Sequence, residues 1–130
     1  MRIIAKYRDG AHPPLLILYI HDAPHRRQHV RVIQQYREAL RSACTAAGIE
    51  TPIDHDIDLS VLFVNPSSPD LGNSYLALEQ ALDGSTLKGP GILTDDSLIS
   101  SMTVSKIFPH VKAKRQPVNL PRFVTLDKIA

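Results

Sequence analysis

Residues 56–99 read DIDLSVLFVNPSSPDLGNSYLALEQALDGSTLKGPGILTDDSLI, and the periodicities in this stretch decide the fold class. Over Asp56–Val64 apolar and polar side chains alternate, which is typical of a half-buried strand. Apolar residues then recur at helical spacing after Asn73, a suitable N-cap, as far as the Gly/Pro-rich loop Gly84–Gly91. Leu98–Phe108 is predicted to be the next strand, so the stretch predicts a strand–helix–strand unit.

The sequence on the N-terminal side repeats this pattern. The apolar run Leu15–Ile20 predicts a strand buried on both faces, and Gln28–Ala47 has the spacing of an amphipathic helix that stops at Gly48. Phe123–Leu126 is a candidate for one more strand further along the chain. The predicted order is β-α-β-α-β-(β), and we expect a single α+β domain over residues 1–130 in which two helices pack on a mixed sheet.

Composition limits the class of protein. With 130 residues, 43% of them apolar, the chain is long enough for one domain with its own core. Its single cysteine, Cys44, excludes an intramolecular disulfide, lies on the apolar face of the predicted helix and fits a reducing compartment. The longest apolar run is far shorter than the roughly 20 residues of a membrane helix, and no secretion signal is recognisable. We therefore expect a cytoplasmic protein with no membrane partner.

The charges are unevenly distributed, although the net charge is only +2. Basic residues are concentrated in the segments 26–41 and 106–128, whereas residues 50–96 carry nine acidic residues and one lysine. Cations bind DNA phosphates and carboxylates hold catalytic metal ions, so the pattern is compatible with a nuclease. An ordinary solvated surface gives similar clusters, and that alternative stays open.

Two acidic motifs flank the second predicted helix. The first is DLGN at residues 70–73, and the second is ILTDDSLI at residues 92–99, which contains Asp95 and Asp96. Together with the order of strands and helices around them, these motifs resemble the RusA-like family of Holliday-junction endonucleases over about Leu15–Phe108. That family has Asp-x-Asp-Asn at the start of a helix and, after a variable loop, an Asp-Asp pair that enters the next strand.

The resemblance implies a metal-dependent endonuclease. Phosphodiester hydrolysis of this kind uses carboxylate oxygens to hold Mg²⁺ against the phosphate, with Mn²⁺ as an alternative ion. Asp70 and Asp96 are implied as the metal ligands, and Asp95 as a third catalytic residue that assists them. Asn73 is either a polar ligand or an N-cap, and capping is the preferred interpretation.

The sequence departs from the family pattern at two positions. Gly72 stands where the family has its second aspartate, and Leu76 stands where it has a lysine. The first change removes a carboxylate that attracts the metal, and the second removes a cation near the reacting phosphate. Either the site is rebuilt or the protein no longer cuts DNA. The aspartates within residues 54–58 are spare carboxylates, but the length of the predicted strand places them far from Asp70.

The resemblance also implies a homodimer that binds four-way DNA junctions in recombination and repair, in a phage or a bacterium. Six basic residues are the candidate DNA contacts: Arg26, Arg27, Arg31, Lys112, Lys114 and Arg115. The last three belong to a basic segment, 109–130, for which flexibility is an open alternative. Two other functions stay open: a degenerate relative that binds branched DNA without cutting it, and an unrelated protein-interaction domain.

Other types of site find little support in the sequence. His21, His25 and His29 are spaced by four, but Pro24 interrupts a helix there and no cysteine or acidic partner completes a zinc site. No nucleophile-elbow or phosphate-loop motif is present.

Overall fold

In the part of the chain that is described, four strands form one sheet and two helices cover one of its faces. The structure, a computed structural model, describes residues 1–26, 28–84 and 89–109. In chain order its elements are β1 (Arg2–Arg8), β2 (Leu15–His21), α1 (Val30–Ala46), β3 (Ile57–Val64), α2 (Leu71–Leu82), a short 3₁₀ helix (Asp96–Leu98) and β4 (Ile99–Ile107). The predicted α+β class, with a mixed sheet and two helices, is confirmed.

The sheet has the order β1-β2-β3-β4. β1 runs antiparallel to β2, whereas β2, β3 and β4 run parallel to one another. Each parallel connection needs a crossover, and α1 and α2 supply the two crossovers. The predicted order lacks β1, because the sequence RIIAKYR carries charges at both ends and breaks strict alternation at Ile3 and Ile4.

The core lies between the helices and one face of the sheet. Alternate residues of β2 and β3 point to this face, since side chains in a strand alternate between its two sides. The buried side chains of this core include Leu16, Leu18 and Ile20 of β2, Ile57, Leu59, Val61 and Phe63 of β3, Ile33, Tyr36, Leu40 and Cys44 of α1, and Ala77, Leu78, Ala81 and Leu82 of α2. Burial raises the pKa of the Cys44 thiol to about 11, and the predicted core position of this cysteine is confirmed.

The two faces of β2 are buried to different extents. In Leu15–Ile20 the even-numbered residues are buried, but the odd-numbered ones are only half-buried. The prediction that this strand is buried on both faces is therefore wrong, because both helices pack on the same side of the sheet. On the other side, Leu62 and Val64 form a small second cluster with Tyr19 and Ile107.

The ends of the helices and strands differ slightly from the predicted ones. α1 begins at Val30, with His29 as its N-cap, and ends before Gly48, whose φ of 76° suits the predicted stop. β4 ends at Ile107, and the predicted strand Phe123–Leu126 lies outside the described residues. No helix in the described ranges is long and apolar enough to cross a membrane.

Leu18→Ala tests this account of the core. Leu18 is fully buried in β2, so its truncation leaves a cavity, and we expect a loss of about 2–5 kcal/mol in the free energy of unfolding. Urea denaturation followed by circular dichroism measures the loss. Ile17→Ala, next to it on the half-buried face, is the matched control and should cost clearly less. Equal losses at the two positions would contradict a core that lies on one side of the sheet.

Candidate metal centre

Carboxylates lie at both edges of the parallel strands, and α2 separates them. Asp70 precedes α2 and lies at the end of the sheet where β3 finishes. We call this end of the sheet the carboxyl edge. Asp83 follows α2, at the edge where β3 begins, which we call the amino edge. The 12 residues of α2 between them span about 18 Å. Asp95 and Asp96 come just before β4, which is parallel to β3, so they lie at the amino edge with Asp83.

Three aspartates at the amino edge form a close group. One carboxylate oxygen from each of Asp83, Asp95 and Asp96 lies within 4.8 Å of the other two. Asp83 is 6% exposed, whereas Asp96 is half-buried and Asp95 is exposed, so the group opens to solvent on one side. Carboxylate oxygens bind hard divalent cations, and these three side chains could hold a metal ion. We call this group the acidic triad.

Asp95 and Asp96 titrate as a pair. The Asp95 carboxylate accepts a hydrogen bond from the N–H of Ser97 at 3.0 Å, and this bond, followed by one from Asp96, lowers the pKa of Asp95. The pKa of Asp96 is raised, first by its hydrogen bond to Asp95, then by burial and by the charges of Asp83 and Glu79. As the pH falls, Asp96 therefore takes up a proton before Asp95 does. A divalent cation can take the place of that proton.

Tyr75 and Glu79 lie beside the triad on α2. Tyr75, Glu79 and Asp83 are spaced by four residues, so they lie along one side of the helix. Burial, followed by the charges of Glu79 and Asp96, raises the pKa of the Tyr75 hydroxyl to about 12. The surroundings of the triad therefore include a fourth carboxylate and a hydroxyl that stays protonated at neutral pH.

Backbone hydrogen bonds tie the two segments of the triad together. The N–H of Gly84 donates to the carbonyl of Leu93 at 2.9 Å, and the N–H groups of Ile92 and Leu93 donate to the carbonyl of Leu82 at 3.1 and 2.9 Å. Ile53 joins this network through a 2.7 Å hydrogen bond from its N–H to the carbonyl of Ile92. The triad is therefore carried by paired backbone, which fixes the distance between its members.

Two glycines permit this close approach of the backbone. A Cβ atom on Gly91 would lie 2.5 Å from the nitrogen of Gly84, and a Cβ atom on Gly84 would lie 2.8 Å from the carbonyl oxygen of Leu93. Carbon atoms do not tolerate contacts this short, so any other residue would push the two segments apart. The glycines thus have a packing role in addition to their role in the loop.

Two arginines of α1 bind the two backbone segments that carry the triad. Arg37 binds the end of α2, and Arg41 binds the segment before Asp95. Arg37 is 4% exposed, and its guanidinium donates to three carbonyl groups at the end of α2. The distances are 3.2 Å to Gln80, 2.9 Å to Ala81 and 2.7 Å to Asp83. These bonds satisfy carbonyl groups that a helix leaves unpaired at its end. One turn later, Arg41 donates to the carbonyl of Pro90 at 2.6 Å.

Asp70 has a different role at the carboxyl edge. Its exposed carboxylate caps α2, where it accepts hydrogen bonds from the N–H groups of Gly72 at 2.8 Å and Asn73 at 3.3 Å. The prediction that Asn73 is the N-cap is therefore wrong, because the helix starts three residues earlier and Asp70 reaches its first N–H groups. Lys106 donates to the carbonyl of Pro69 next to this cap.

The structure brings Asp95 and Asp96 together but places Asp70 one helix length away from them. Arg26 donates its N–H to the carbonyl of Asn73 at 2.7 Å, and Arg31 is exposed in the first turn of α1, so both lie at the carboxyl edge. The other predicted DNA contacts lie outside the described residues: Arg27, Lys112, Lys114 and Arg115.

Asp83 is the member of the triad that the sequence analysis missed. It stands at the end of the predicted helix, just before the Gly/Pro-rich loop, and that position was the available signal, because a helix that connects two parallel strands returns the chain to the end at which the next strand begins. Asp54 and Asp70 lie beyond opposite ends of β3, as predicted. However, Ile53 pairs with Leu93, which places the neighbouring Asp54 at the same edge as the triad.

Comparison of the chain with protein-family models, with curated proteins and with solved structures finds no match. The resemblance to RusA-like endonucleases therefore stays an expectation from the motifs.

Asp96→Asn should raise the melting temperature in EDTA at pH 7. The pKa of Asp96 is higher in the folded state than in the unfolded chain, so its ionisation disfavours folding, and the penalty grows as the pH rises through that pKa. We expect a gain of about 1–3 °C at pH 7 that disappears near pH 3. Scanning fluorimetry measures it, with Asp56→Asn as an exposed control. A lower melting temperature for Asp96→Asn at pH 7 would contradict the repulsion.

Arg37→Met should destabilise the protein by about 3 kcal/mol, because it leaves carbonyl groups at the end of α2 without their buried donor.

Arg41→Gln should cost less, about 0.5–1 kcal/mol, but should speed hydrogen exchange at the amides of Gly84 and Leu93. Exchange followed by NMR measures this effect. Arg31→Gln, an exposed change on the same helix, is the control, and exchange equal to that of the control would show that Arg41 does not hold the segment.

Proposed function

We propose that the protein is a divalent-metal-dependent endodeoxyribonuclease that acts on branched DNA, with four-way junctions as its expected substrate. The observation that carries this proposal is the acidic triad, in which three carboxylate oxygens lie within 4.8 Å of one another. The proposal moves the metal ligands from Asp70 and Asp96 to Asp83, Asp95 and Asp96. Asp70 is left with a structural role as the N-cap of α2.

Mg²⁺ is the ion that we expect at the triad, with Mn²⁺ as a substitute. Mg²⁺ usually keeps several waters and takes one or two carboxylates together with substrate phosphate, so a carboxylate site open to solvent suits it. Asp95 lies on the exposed side, where a phosphate group can approach. A bound ion would polarise the phosphodiester and lower the pKa of the attacking water.

Asp95, Glu79 and Tyr75 are assigned separate roles in the proposed reaction. Asp95 stays ionised because the N–H of Ser97 donates to it, which suits a ligand. Glu79 lies outside the triad but one helical turn before Asp83 on α2, so we assign it as the acceptor of the proton from the attacking water. Tyr75 stays protonated, with a pKa of about 12, and can donate to a phosphate oxygen.

The DNA contacts in this proposal extend well beyond the triad. Arg26 and Arg31 lie at the carboxyl edge, and the 17 residues of α1 carry the chain about 25 Å from there to the amino edge. The phosphates that Arg26 and Arg31 contact would therefore lie about 25 Å from the phosphate that is cut, in another part of the junction. A homodimer, which the family resemblance implies, would present one triad to each of two strands.

A degenerate relative that binds branched DNA without cutting it is the second candidate. Gly72 lacks the family's aspartate, Leu76 replaces its lysine, and the Asp70 carboxylate is used for capping. Gly72→Asp would not simply restore a ligand, because a Cβ atom there would lie 3.2 Å from Asp70 Oδ1 and press on the cap. An unrelated protein-interaction domain is the third candidate.

Cleavage of an end-labelled four-way DNA junction in Mg²⁺, Mn²⁺ or EDTA tests the proposal. We expect paired nicks with either cation and none in EDTA. Asp83→Asn and Asp96→Asn should each slow cutting by about 100-fold or more, because a ligand of the ion is lost. Asp56→Asn, an exposed aspartate before β3, should cut at the wild-type rate. Asp70→Asn should also keep its activity, because only a helix cap is weakened.

Three results would change the proposal. Cutting that is lost in Asp70→Asn but kept in Asp83→Asn would move the site to the carboxyl edge. Salt-dependent binding that prefers junctions to duplex, without nicks, would favour the degenerate binder. A protein that neither binds nor cuts junctions would favour the interaction domain.

A further inference from the structure

The outer edge of β1 is open to a further strand. β1 pairs with β2 along one side, and within residues 1–26, 28–84 and 89–109 no strand pairs with its other side. The seven pairs with β2 run without a bulge, and no proline interrupts the strand. In an antiparallel edge strand alternate residues point their N–H and C=O groups outward, where an extended chain can bind them.

A groove runs along this edge. It has a volume of about 450 Å³ and is lined by residues 3–7 of β1 and by Ala43, Ala46 and Ala47 at the end of α1. The odd-numbered residues of β1 lie on this side, since their partners in β2 face the helices. Because the alanines are short, α1 borders the edge without filling the space beside it.

The other face of β1 is basic. Arg2, Lys6 and Arg8 all lie on the side away from the helices, because the even-numbered residues alternate with those that face α1. Arg2 contacts the ring of His21 at 3.4 Å, and Asp58 lies in the same row as Arg8 but two strands away. Lys6 and Arg8 therefore give this face of the edge a positive charge.

We propose that the edge of β1 binds an extended protein segment in which acidic and apolar residues alternate. Main-chain hydrogen bonds to β1 align the segment, its apolar side chains enter the groove beside α1, and its acidic side chains face Lys6 and Arg8. Positive charges on an edge strand normally discourage strand addition, and an acidic partner removes that obstacle. The proposal does not depend on nuclease activity, because the triad lies beside β4 at the other side of the sheet.

A second copy of the chain fits this edge less well. Antiparallel pairing of two β1 strands about Ala5 would set each Arg2 opposite an Arg8 and each Lys6 opposite an Ile4. All six cations would then lie on one face, where like charges repel. A nucleic acid would be attracted by the charges, but it has no peptide backbone to continue the sheet.

Fluorescence anisotropy with a labelled peptide, acetyl-Glu-Val-Glu-Leu-Glu-Val-Glu-amide, tests the proposal. We expect saturable binding to the full chain with a Kd on the order of 100 μM, and NMR shift changes at the amides of β1. A peptide with lysine in place of every glutamate should bind about 10-fold more weakly because it is repelled. A peptide with proline at the central position should also bind about 10-fold more weakly because it loses a backbone donor.

Variants of the protein separate strand addition from charge attraction. Lys6→Glu should weaken binding of the acidic peptide, and Ala46→Leu should do so by filling the groove at an unchanged melting temperature. Arg31→Glu, on the first turn of α1, is the matched charge control and should bind normally. The proposal would be overturned by binding that survives the central proline, by equal effects of Lys6→Glu and Arg31→Glu, by tighter binding of heptathymidylate with the same β1 shifts, or by dimerisation through β1.

Discussion

The hydrogen bonds of the buried Arg37 guanidinium set the arrangement on which the amino edge depends. A cation that is only 4% exposed costs free energy unless its donors are satisfied. Three carbonyl groups at the end of α2 accept hydrogen bonds from its Nε and Nη2 groups, and they do so only when α1 and α2 lie in one register. Apolar packing would allow the helices to slide past one another more readily than this polar contact does. The position of Asp83 therefore follows from a side chain on another helix.

Repulsion within the acidic triad lowers the free energy of unfolding, whereas the Arg37 contact raises it. Asp83, Glu79 and Asp95 all raise the free energy of an ionised Asp96. Sites that place like charges together are usually carried by a scaffold that does not relax, and the paired backbone around Gly84 supplies one here. A bound cation would offset this repulsion, which is why the triad carries the proposed function.

The sequence predicts those elements whose burial is one-sided and regular. α1 and the first half of β3 show a clear period because one side of each faces the core, whereas residues 61–64 of β3 are buried on both faces of the sheet. β1 escapes prediction since it lies at the edge, where charged residues at both ends obscure the period. The cap of α2 is ambiguous locally, because Asp70 and Asn73 are both good capping residues and the sequence does not say which N–H groups come first.

The candidate site is harder to predict than the fold, because it depends on contacts between distant parts of the chain. The Asp95–Asp96 pair is recognisable as a motif. Which third carboxylate joins it depends on the bridge of Leu93 to Asp83, and this bridge is visible only once α2 is placed. Sequence order suggests Asp70, since it opens the helix, whereas the direction of the helix brings its other end to the pair.

The chain enters and leaves residues 85–88 at fixed points, because Gly84 binds Leu93 and Arg41 binds Pro90. The free-energy cost of closing a loop grows slowly as the loop lengthens, so insertions between these points would be tolerated. The spatial distance from Asp83 to Asp95 is then independent of the number of residues between them. Evolutionary relatives would share an aspartate that ends a helix and an aspartate pair that opens a strand, while the interval in sequence drifts.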